Sequence, residues 1–371
     1  MKSTIHEYKK NNKKVMSKNS ILKIATFLIF AMSIMSCSKD NDLPTPVPLP
    51  VSDVYAAGSD NSTPPQVFYY KNNIKTILPV ASNENATIRG IAVDRNDVYT
   101  IGNIRIDLPG SASTTNACYW KNNVKFILPL PSGTPINSFL DTRAITIVNG
   151  EVYIVGFSAT NGSSRRTIVV WKNGIASNFA SSATLSYTPS AISVYNNDVY
   201  VAGYTSDAVR DNVVFWKNGL LTTISTLDNG ALDIVVNQNG IHVLYNEDGG
   251  GTLPDPIKFW KDGNVSTITT LISETGKMAV KGTDVYITGG EIQTGSSNFK
   301  ALYWKNGVKL ELPDSDRIIA SDIKFGINGD IYIASKSQFN GLKELTYWKN
   351  NVKFTIGNSN ERFEAFDINN K

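Results

Sequence analysis

Short apolar stretches alternate with polar turn residues along most of this 371-residue chain. Four such stretches, here called strands A to D, recur in successive units. Strand B carries a Val-Tyr pair, as in Val98-Tyr99, and strand C ends in an aromatic-Lys-Asn phrase. β-branched and aromatic residues dominate these stretches, as they do in strands that pack into sheets. The pattern therefore predicts an all-β chain built from short, repeated strands.

The aromatic-Lys-Asn phrase, once aromatic-Lys-Asp, sets the length of the repeat. Its seven copies begin at Tyr70, Trp120, Trp171, Trp216, Trp260, Trp304 and Trp348. The successive spacings are 50, 51, 45, 44, 44 and 44 residues. A period in the 40s with strand-like content is typical of propellers and other repeat arrays. Pairs such as Asn173-Gly174 between strands C and D favour two-residue hairpins, so each unit reads as an antiparallel meander.

The tally of strands predicts how the array closes. Strands B, C and D each occur seven times, whereas strand A occurs six times within the array. The first unit begins directly at strand B, with Val54-Tyr55, and residues 363–368 at the other end read as a seventh strand A. We therefore expect a seven-bladed β-propeller of four-stranded antiparallel blades, closed by pairing the C-terminal strand with the N-terminal blade. Such closure leaves no open sheet edge.

All six tryptophans belong to the repeat. The residue before each is apolar or aromatic, as in Phe215-Trp216, and a strand that is apolar on both faces is buried on both faces. The pattern predicts that the tryptophans pack in the core. The alternative is a sugar-stacking Trp in every blade.

A resemblance supports the fold but implies no chemistry. The stretch Gly90-Ile91-Ala92-Val93-Asp94, followed by Asp97-Val98-Tyr99, resembles bacterial β-propeller repeats of the SBBP and NHL kind. The resemblance covers about residues 51–371, and the predicted propeller domain is residues 53–371. These repeat families are functionally mixed, so only the fold follows from it.

The first 36 residues have the composition of a signal peptide. Seven lysines precede or border an apolar run at residues 24–35, which is shorter than the about 20 residues that a membrane-spanning helix needs. The run ends in Ile34-Met35-Ser36-Cys37, which resembles a bacterial lipobox. The resemblance implies that Cys37 is lipidated and begins the mature chain. An ordinary secreted protein is the alternative, and Met16 is a second candidate for the true start.

Residues 37–52 read as a linker. An acidic tract at residues 38–42 resembles the surface-export signal of Bacteroidetes lipoproteins, although a solvated linker is the alternative. Alternating prolines at 44, 46, 48 and 50 favour an extended polyproline II spacer. Together these features imply a lipid-anchored protein of the outer membrane, displayed at the cell surface.

Charge and composition exclude several kinds of chemistry. Residues 1–36 hold seven Lys and one Glu, so the remaining chain has a net charge of −2 rather than +4, which argues against a nucleic-acid partner. His242 is the only histidine outside the signal segment and occupies the position of the repeat Tyr, which favours a structural role. No Cys or His spacing indicates a metal site, and we expect no cofactor. Recurring carboxylates such as Asp97 lie in the A–B turns and indicate turn chemistry.

The B–C and D–A connections differ between units, and variable loops on a rigid scaffold commonly carry binding residues. Candidate ligand contacts in the third to fifth units are Arg165, Arg166, Asp207, Arg210, Glu247, Asp248 and Asp255. For each, a solvated loop charge is the alternative. The sequence predicts no catalytic residue.

These observations lead to a functional hypothesis. We expect a monomeric, non-catalytic binding module that holds a glycan or an envelope protein on its variable-loop face. One alternative is an accessory lipoprotein with a structural or assembly role and no small-molecule site. Another is a polysaccharide-degrading enzyme, which requires a carboxylate pair or a Tyr/His/Arg cluster near the axis of the ring.

Overall fold

A computed structural model describes residues 52–106, 113–207, 209–226, 230–247, 255–270, 273–292, 295, 298–336 and 344–369. The signal segment, Cys37 and Asp248 lie outside these residues. The described strands form seven four-stranded antiparallel sheets, each of which is one blade. This confirms the seven-bladed propeller.

The blades are numbered from the N-terminus, and each runs from its innermost to its outermost strand. Blade 1 contains β28 (Glu361–Asn369), β1 (Asp53–Asp60), β2 (Val67–Lys71) and β3 (Ile74–Ile77); blade 2 contains β4 (Glu84–Asp94), β5 (Asp97–Ile106), β6 (Thr114–Lys121) and β7 (Val124–Ile127). Blade 3 contains β8 (Ser138–Val148), β9 (Glu151–Thr160), β10 (Thr167–Lys172) and β11 (Ile175–Ala180); blade 4 contains β12 (Ser186–Tyr195), β13 (Asp198–Ser206), β14 (Asp211–Lys217) and β15 (Leu220–Ser225). Blade 5 contains β16 (Ala231–Asn237), β17 (Gly240–Asn246), β18 (Ile257–Lys261) and β19 (Asn264–Thr269). Blade 6 contains β20 (Ser273–Lys281), β21 (Asp284–Ile292), β22 (Phe299–Lys305) and β23 (Val308–Asp316); blade 7 contains β24 (Ile319–Phe325), β25 (Ile331–Lys336), β26 (Leu345–Lys349) and β27 (Val352–Ile356).

The C-terminal strand closes the ring as the strand tally predicts. β28 pairs antiparallel with β1, with Val54 opposite Ile368 and Ala56 opposite Phe366. Blade 1 is therefore built from both ends of the folded chain. Phe68 and Phe363 pack edge to face within this blade, with ring centroids 5.7 Å apart, so closure also buries apolar surface.

The tryptophans pack between neighbouring blades. Trp120, Trp171, Trp216, Trp304 and Trp348 are buried, whereas Trp260 is half-buried. Trp120 of blade 2, for example, packs against Tyr55 and Leu78 of blade 1. Its indole Nε1 donates a hydrogen bond of 3.0 Å to the carbonyl oxygen of Pro79, which follows the last strand of blade 1. The core interpretation is confirmed for the five buried tryptophans, and sugar stacking by them is excluded.

The repeated Lys, Asn and acidic residues form a clamp in six of the seven blades, on the face of the short turns, here the turn face. In blade 2, Asn122 has φ 46° in the outer hairpin, and its side chain accepts a hydrogen bond from the Val98 N–H at 2.9 Å. Lys121 forms a 2.8 Å ion pair with Asp97 and lies 5.2 Å from the centroid of the Tyr99 ring. The recurring Asp therefore has a structural role beside the turn, as the sequence predicts.

Blade 5 departs from this clamp. Gly240 takes the place of the Asp, His242 that of the Tyr, and Asp262 that of the Asn. Asp262 still accepts the Ile241 N–H at 2.9 Å. His242 is buried, and its Nδ1 lies 3.2 Å from the Val235 carbonyl oxygen. Burial lowers the pKa of His242, which agrees with a structural role.

Each innermost strand contains a β-bulge at an equivalent position. In β4 the register skips Arg89, because Ile88 lies opposite Gly102 and Gly90 lies opposite Ile101. The residues skipped in blades 1 to 7 are Glu364, Arg89, Arg143, Ser190, Leu232, the pair Gly276-Lys277, and Ser321. A bulge leaves its extra residue outside the ladder and turns it away from its neighbours. The sequence pattern does not reveal these bulges.

Candidate functional site

The seven innermost strands surround a central channel. A cavity of about 290 Å³ in this channel is lined by residues from all seven of them. The bulged residues Arg89, Arg143, Lys277 and Glu364 line this cavity or the cavities beside it. The channel therefore collects ionisable side chains that lie far apart in the sequence, and its charges divide into two halves.

On the side of blades 5, 6, 7 and 1, acidic and basic groups neutralise each other. Lys277 Nζ lies 3.7 Å from Asp233 Oδ1. Lys324 Nζ lies 3.7 Å from Asp322 Oδ1 and 3.8 Å from Asp367 Oδ1. Two of the carboxylates are also held by backbone donors, since the Met278 N–H donates to Asp233 at 2.8 Å and the Val93 N–H donates to Asp367 at 2.9 Å. These contacts lock the innermost strands of adjacent blades together.

Burial inside the channel shifts the protonation of this network. Loss of hydration raises the pKa values of the Asp322 and Asp367 carboxyl groups, although Lys324 opposes the shift. Burial also opposes the charged form of Lys324, but the two carboxylates outweigh it and raise the lysine pKa. Although protein surrounds these groups, 36% of the Lys324 side chain remains accessible, so the network faces an open channel.

The side of blades 2 and 3 is rich in arginine. Arg143 Nε lies 3.5 Å from Asp141 Oδ1, and the Asn103 amide donates to the same oxygen at 3.0 Å. Arg166 donates a 2.9 Å hydrogen bond to the Thr188 hydroxyl. The guanidinium carbons of Arg143 and Arg166 lie 5.2 Å and 4.6 Å from the centroid of the buried Phe157 ring. Both cations thus lie against one aromatic side chain.

A second cavity, of about 420 Å³, opens on the face of the longer connections, here called the loop face. It lies between the β9–β10 loop of blade 3 and the start of blade 4. Its wall is formed by Ser164, Arg165, Arg166, Thr184, Ser186, Thr188, Tyr204, Ser206, Asp207 and Asp211. Hydroxyl groups and charges dominate this wall, which suits a hydroxyl-rich ligand. We call it the loop cavity.

The structure brings three of the seven candidate residues to the loop cavity, namely Arg165, Arg166 and Asp207. Arg165 also donates to the Ala183 carbonyl oxygen across the cavity edge. The Asp207 carboxylate accepts backbone hydrogen bonds from Arg210 at 2.9 Å and from Val209 at 2.7 Å, and these bonds lower its pKa. Asp207 therefore also orders its own loop.

The other candidate residues do not line this cavity. Arg210 adjoins it through the Asp207 turn, as its carbonyl oxygen accepts the Asp207 N–H at 3.2 Å. Glu247 forms a 3.2 Å ion pair with Lys258 in blade 5. Asp255 is exposed, and Asp248 lies outside the described residues.

Sequence reasoning did not single out the charged residues of the channel. The available signal was a charge within an apolar strand, as at Arg89 in Ile88-Arg89-Gly90-Ile91 or Lys324 in Ile323-Lys324-Phe325. In a single strand, the sequence pattern alone assigns each such charged side chain to the solvent-facing side. Only the closed ring shows that seven strands turn these positions toward one axis.

Further observations concern metals, thiols and membranes. Within the described ranges, no group of three or more His, Cys, Asp and Glu side chains is placed to hold a metal ion. Cys118 is buried in β6, and loss of hydration raises the pKa of its thiol. In the same part of the chain, no helix has the length and apolar character required to cross a membrane.

Comparisons with known proteins show a likeness in fold alone. No protein-family model matches the sequence, and no curated protein matches it either. Among solved structures, the chain is similar to the computationally designed protein Ika8, with 14% identity, 85% of this chain and 90% of that chain covered, and a TM-score of 0.46. It is similar to TolB from Acinetobacter baumannii, with 12% identity, coverage of 81% and 78%, and a TM-score of 0.44. It is also similar to Trypanosoma rangeli sialidase in complex with sialic acid, with 10% identity, coverage of 80% and 57%, and a TM-score of 0.42.

Proposed function

We propose that this protein is a lipid-anchored, non-catalytic binding protein that holds a glycan on the loop face of its propeller. The observation that carries the proposal is the loop cavity, which combines Arg165, Arg166 and Asp207 with a wall of hydroxyl groups. Its volume of about 420 Å³ lies within the usual range of about 300–1,000 Å³ for small-ligand sites. A concave, polar site suits a sugar better than it suits a flat protein partner.

The anchor completes the proposal. Lipidation of Cys37 would tether the propeller to the outer membrane at the cell surface, and residues 37–52 would act as a spacer. The protein would act as a monomer, because the loop cavity is formed within one chain. The repeats resemble those of SBBP and NHL propellers, which is consistent with a scaffold that presents binding loops. The resemblance does not identify a ligand. An envelope protein on the same face is the other partner consistent with such an anchor.

Replacing Cys37 with Ser tests the anchor. The variant is expected to move from the membrane fraction to the soluble fraction, because a Ser cannot accept the thioether-linked lipid on which attachment depends. Membrane sedimentation and detergent phase partition of wild type and variant provide the measurement. A Cys118→Ser variant is the matched control and should stay with the membrane. Retention of Cys37→Ser on membranes would contradict the lipoprotein interpretation.

Narrowing the loop cavity tests the binding site. The double variant Ser164→Leu/Ser206→Leu adds bulk to the wall and removes two hydroxyl groups, so glycan affinity is expected to fall roughly tenfold or more, about 1.4 kcal/mol. The measurement is calorimetric titration with glycans that a polysaccharide panel identifies as ligands. Asn161→Leu, in the same loop but outside the wall, is the control. Unchanged affinity in the double variant would place the site elsewhere, and a folded wild type that binds no glycan would favour the assembly role.

A second candidate function is cleavage of a glycosidic bond within the channel, which the Asp322 and Asp367 pair favours. Because both Oδ1 atoms lie within 3.8 Å of Lys324 Nζ, they are at most about 7.5 Å apart, and glycosidase carboxyl pairs lie about 5–10 Å apart. The raised pKa of either carboxyl group has the direction required of a general acid, while the partner would have to stay ionised beside Lys324 to act as base or nucleophile. Release of reducing ends from a bound polysaccharide, abolished by Asp367→Asn, would support this function, and binding without release would contradict it.

A further inference from the structure

The part of the channel beside blades 2 and 3 carries two arginines at equivalent positions. Arg89 is the bulged residue of β4, and Arg143 is the bulged residue of β8. Both line a cavity of about 310 Å³, whose other wall residues are Ile88, Thr188, Pro189, Ser190, Tyr204 and Glu364. We call it the arginine cavity. Because the bulges free these side chains from the sheet ladder, both arginines reach the same space.

Positive charge in the arginine cavity is incompletely balanced. Arg143 Nε is buried and has no hydrogen-bond acceptor within the described ranges, since its distance of 3.5 Å from Asp141 Oδ1 is long and that oxygen already accepts from Asn103. Arg89 is exposed and forms no ion pair with any residue that the structure describes. Glu364, which also lines the cavity, forms a 2.5 Å ion pair with Arg362.

The three guanidinium groups also act on one another. Burial is the main cause of a lowered Arg143 pKa, and the charges of Arg89 and Arg166 lower it further, whereas Asp141 opposes them. Arginine nevertheless stays charged in proteins. Two carboxylates lie near these three like charges, Asp141 and Glu364, and Glu364 already pairs with Arg362. A bound anion would stabilise this arrangement, because it would reduce the repulsion and accept the unused hydrogen bonds.

The arginine cavity and the loop cavity lie side by side and share part of their walls. Thr188 and Tyr204 belong to the walls of both. Arg166 donates to the Thr188 hydroxyl at this shared wall and lies against Phe157 together with Arg143. A ligand that fills the loop cavity can therefore extend along Thr188 and Tyr204 toward Arg143 and Arg89.

We propose that the arginine cavity binds the carboxylate of an acidic sugar, and that the loop cavity holds the neighbouring sugar of the same polysaccharide. A guanidinium fork matches a carboxylate with two parallel hydrogen bonds, and the hydroxyl groups of Ser190, Thr188 and Tyr204 suit the rest of a sugar ring. The inference rests on the proposed function and narrows its ligand to uronic-acid polymers.

The test uses full-length lipidated protein in detergent and paired polysaccharides. Polygalacturonate and alginate oligosaccharides are each compared with their carboxyl-reduced forms, and sulfated dextran oligosaccharides are a third arm. Arg89→Gln and Arg143→Gln are the variants, and Arg95→Gln, in blade 2 on the turn face, is the matched control. Thermal unfolding checks that each variant is folded. Because Arg89 is exposed, Arg89→Gln keeps the test valid even where Arg143→Gln destabilises the blade.

The expected result is binding of a carboxylated oligosaccharide that weakens with added salt, is lost on carboxyl reduction, and falls about tenfold or more in each arginine variant. Arg95→Gln should bind as wild type does. Unchanged affinity in Arg89→Gln and Arg143→Gln would overturn the inference. Binding of sulfated dextran oligosaccharides without binding of either carboxylated oligosaccharide would overturn it as well. Equal binding of carboxylated and reduced forms would overturn it while leaving the proposed function standing. Absence of any glycan binding would overturn both.

Discussion

Replacing Trp216 with Ala is expected to lower the free energy of unfolding by about 3–5 kcal/mol. Trp216 is fully buried and packs between blades 3 and 4, against Val155 and Val170 of blade 3 and Tyr187 of blade 4. The Trp216 and Tyr187 ring centroids lie 5.1 Å apart. Removing the indole leaves a cavity between two sheets that cannot close without moving a whole blade. The loss therefore includes both the apolar transfer free energy and the cost of the cavity.

The half-buried Trp260 provides the matched control. It occupies the equivalent strand position in blade 5, so Trp260→Ala changes the same side chain in the same local structure. Its smaller burial predicts a smaller destabilisation, about half that of Trp216→Ala or less. Urea unfolding followed by circular dichroism gives both values. Equal losses in the two variants would show that the buried packing between blades 3 and 4 is not the source of the effect.

Much of this architecture could be predicted because its determinants are local and repeated. Each hairpin is set by a pair such as Asn173-Gly174, whose φ values of 50° and 82° are those that Asn and Gly tolerate. The closure follows from counting strands, and β28 pairs with β1 as that count requires. Neither inference needs a contact between distant side chains.

The full length of the innermost strands could not be predicted in the same way. The alternation in the second unit places strand A at residues 88–93, whereas β4 extends over Glu84–Asp94. Along a strand, every second side chain points to the same face of the sheet, and the bulge at Arg89 shifts this alternation by one position. The apolar positions before the bulge therefore do not continue the pattern of those after it. The predicted connections are accordingly too long, since β5 continues to Ile106.

The candidate site was predicted only in part, for a related reason. Arg165, Arg166 and Asp207 lie in variable loops, which composition and spacing reveal, and they meet at the loop cavity. Arg89 and Arg143 lie in strands that otherwise read as ordinary sheet. Their convergence depends on two bulges and on the packing of β4 against β8, neither of which has a short-range signal in the sequence.

Gly156→Ala is expected to destabilise the protein by about 3 kcal/mol or more, because a bulge and its partner strand approach too closely for a side chain. A Cβ atom at Gly156 would lie 2.0 Å from the Asp141 carbonyl oxygen and 3.1 Å from the Thr142 Cα. These atoms belong to β8, which pairs with β9, so no side-chain rotation can relieve the contact. Gly58, Gly102 and Gly203 show the same 2.0 Å approach in blades 1, 2 and 4.

Gly162→Ala separates this effect from the general cost of replacing a glycine. Gly162 lies in the loop after β9 with φ 84°, and nothing lies within 4 Å of a Cβ built there. Its variant should lose only about 1–2 kcal/mol, the cost of a left-handed backbone for a residue with a side chain. Urea unfolding compares the two variants.

The Gly156→Ala substitution should also affect ligand binding in the arginine cavity. Asp141 is the carboxylate nearest Arg143, at 3.5 Å, so a shift of the Asp141 backbone in Gly156→Ala moves the partner that positions this guanidinium. Gly156→Ala should therefore weaken binding of carboxylated oligosaccharides even at temperatures where it is folded, whereas Gly162→Ala should not. A Gly156→Ala protein as stable as Gly162→Ala would show that β8 can yield at the bulge, and the bulge would then not be a rigid support for Arg143.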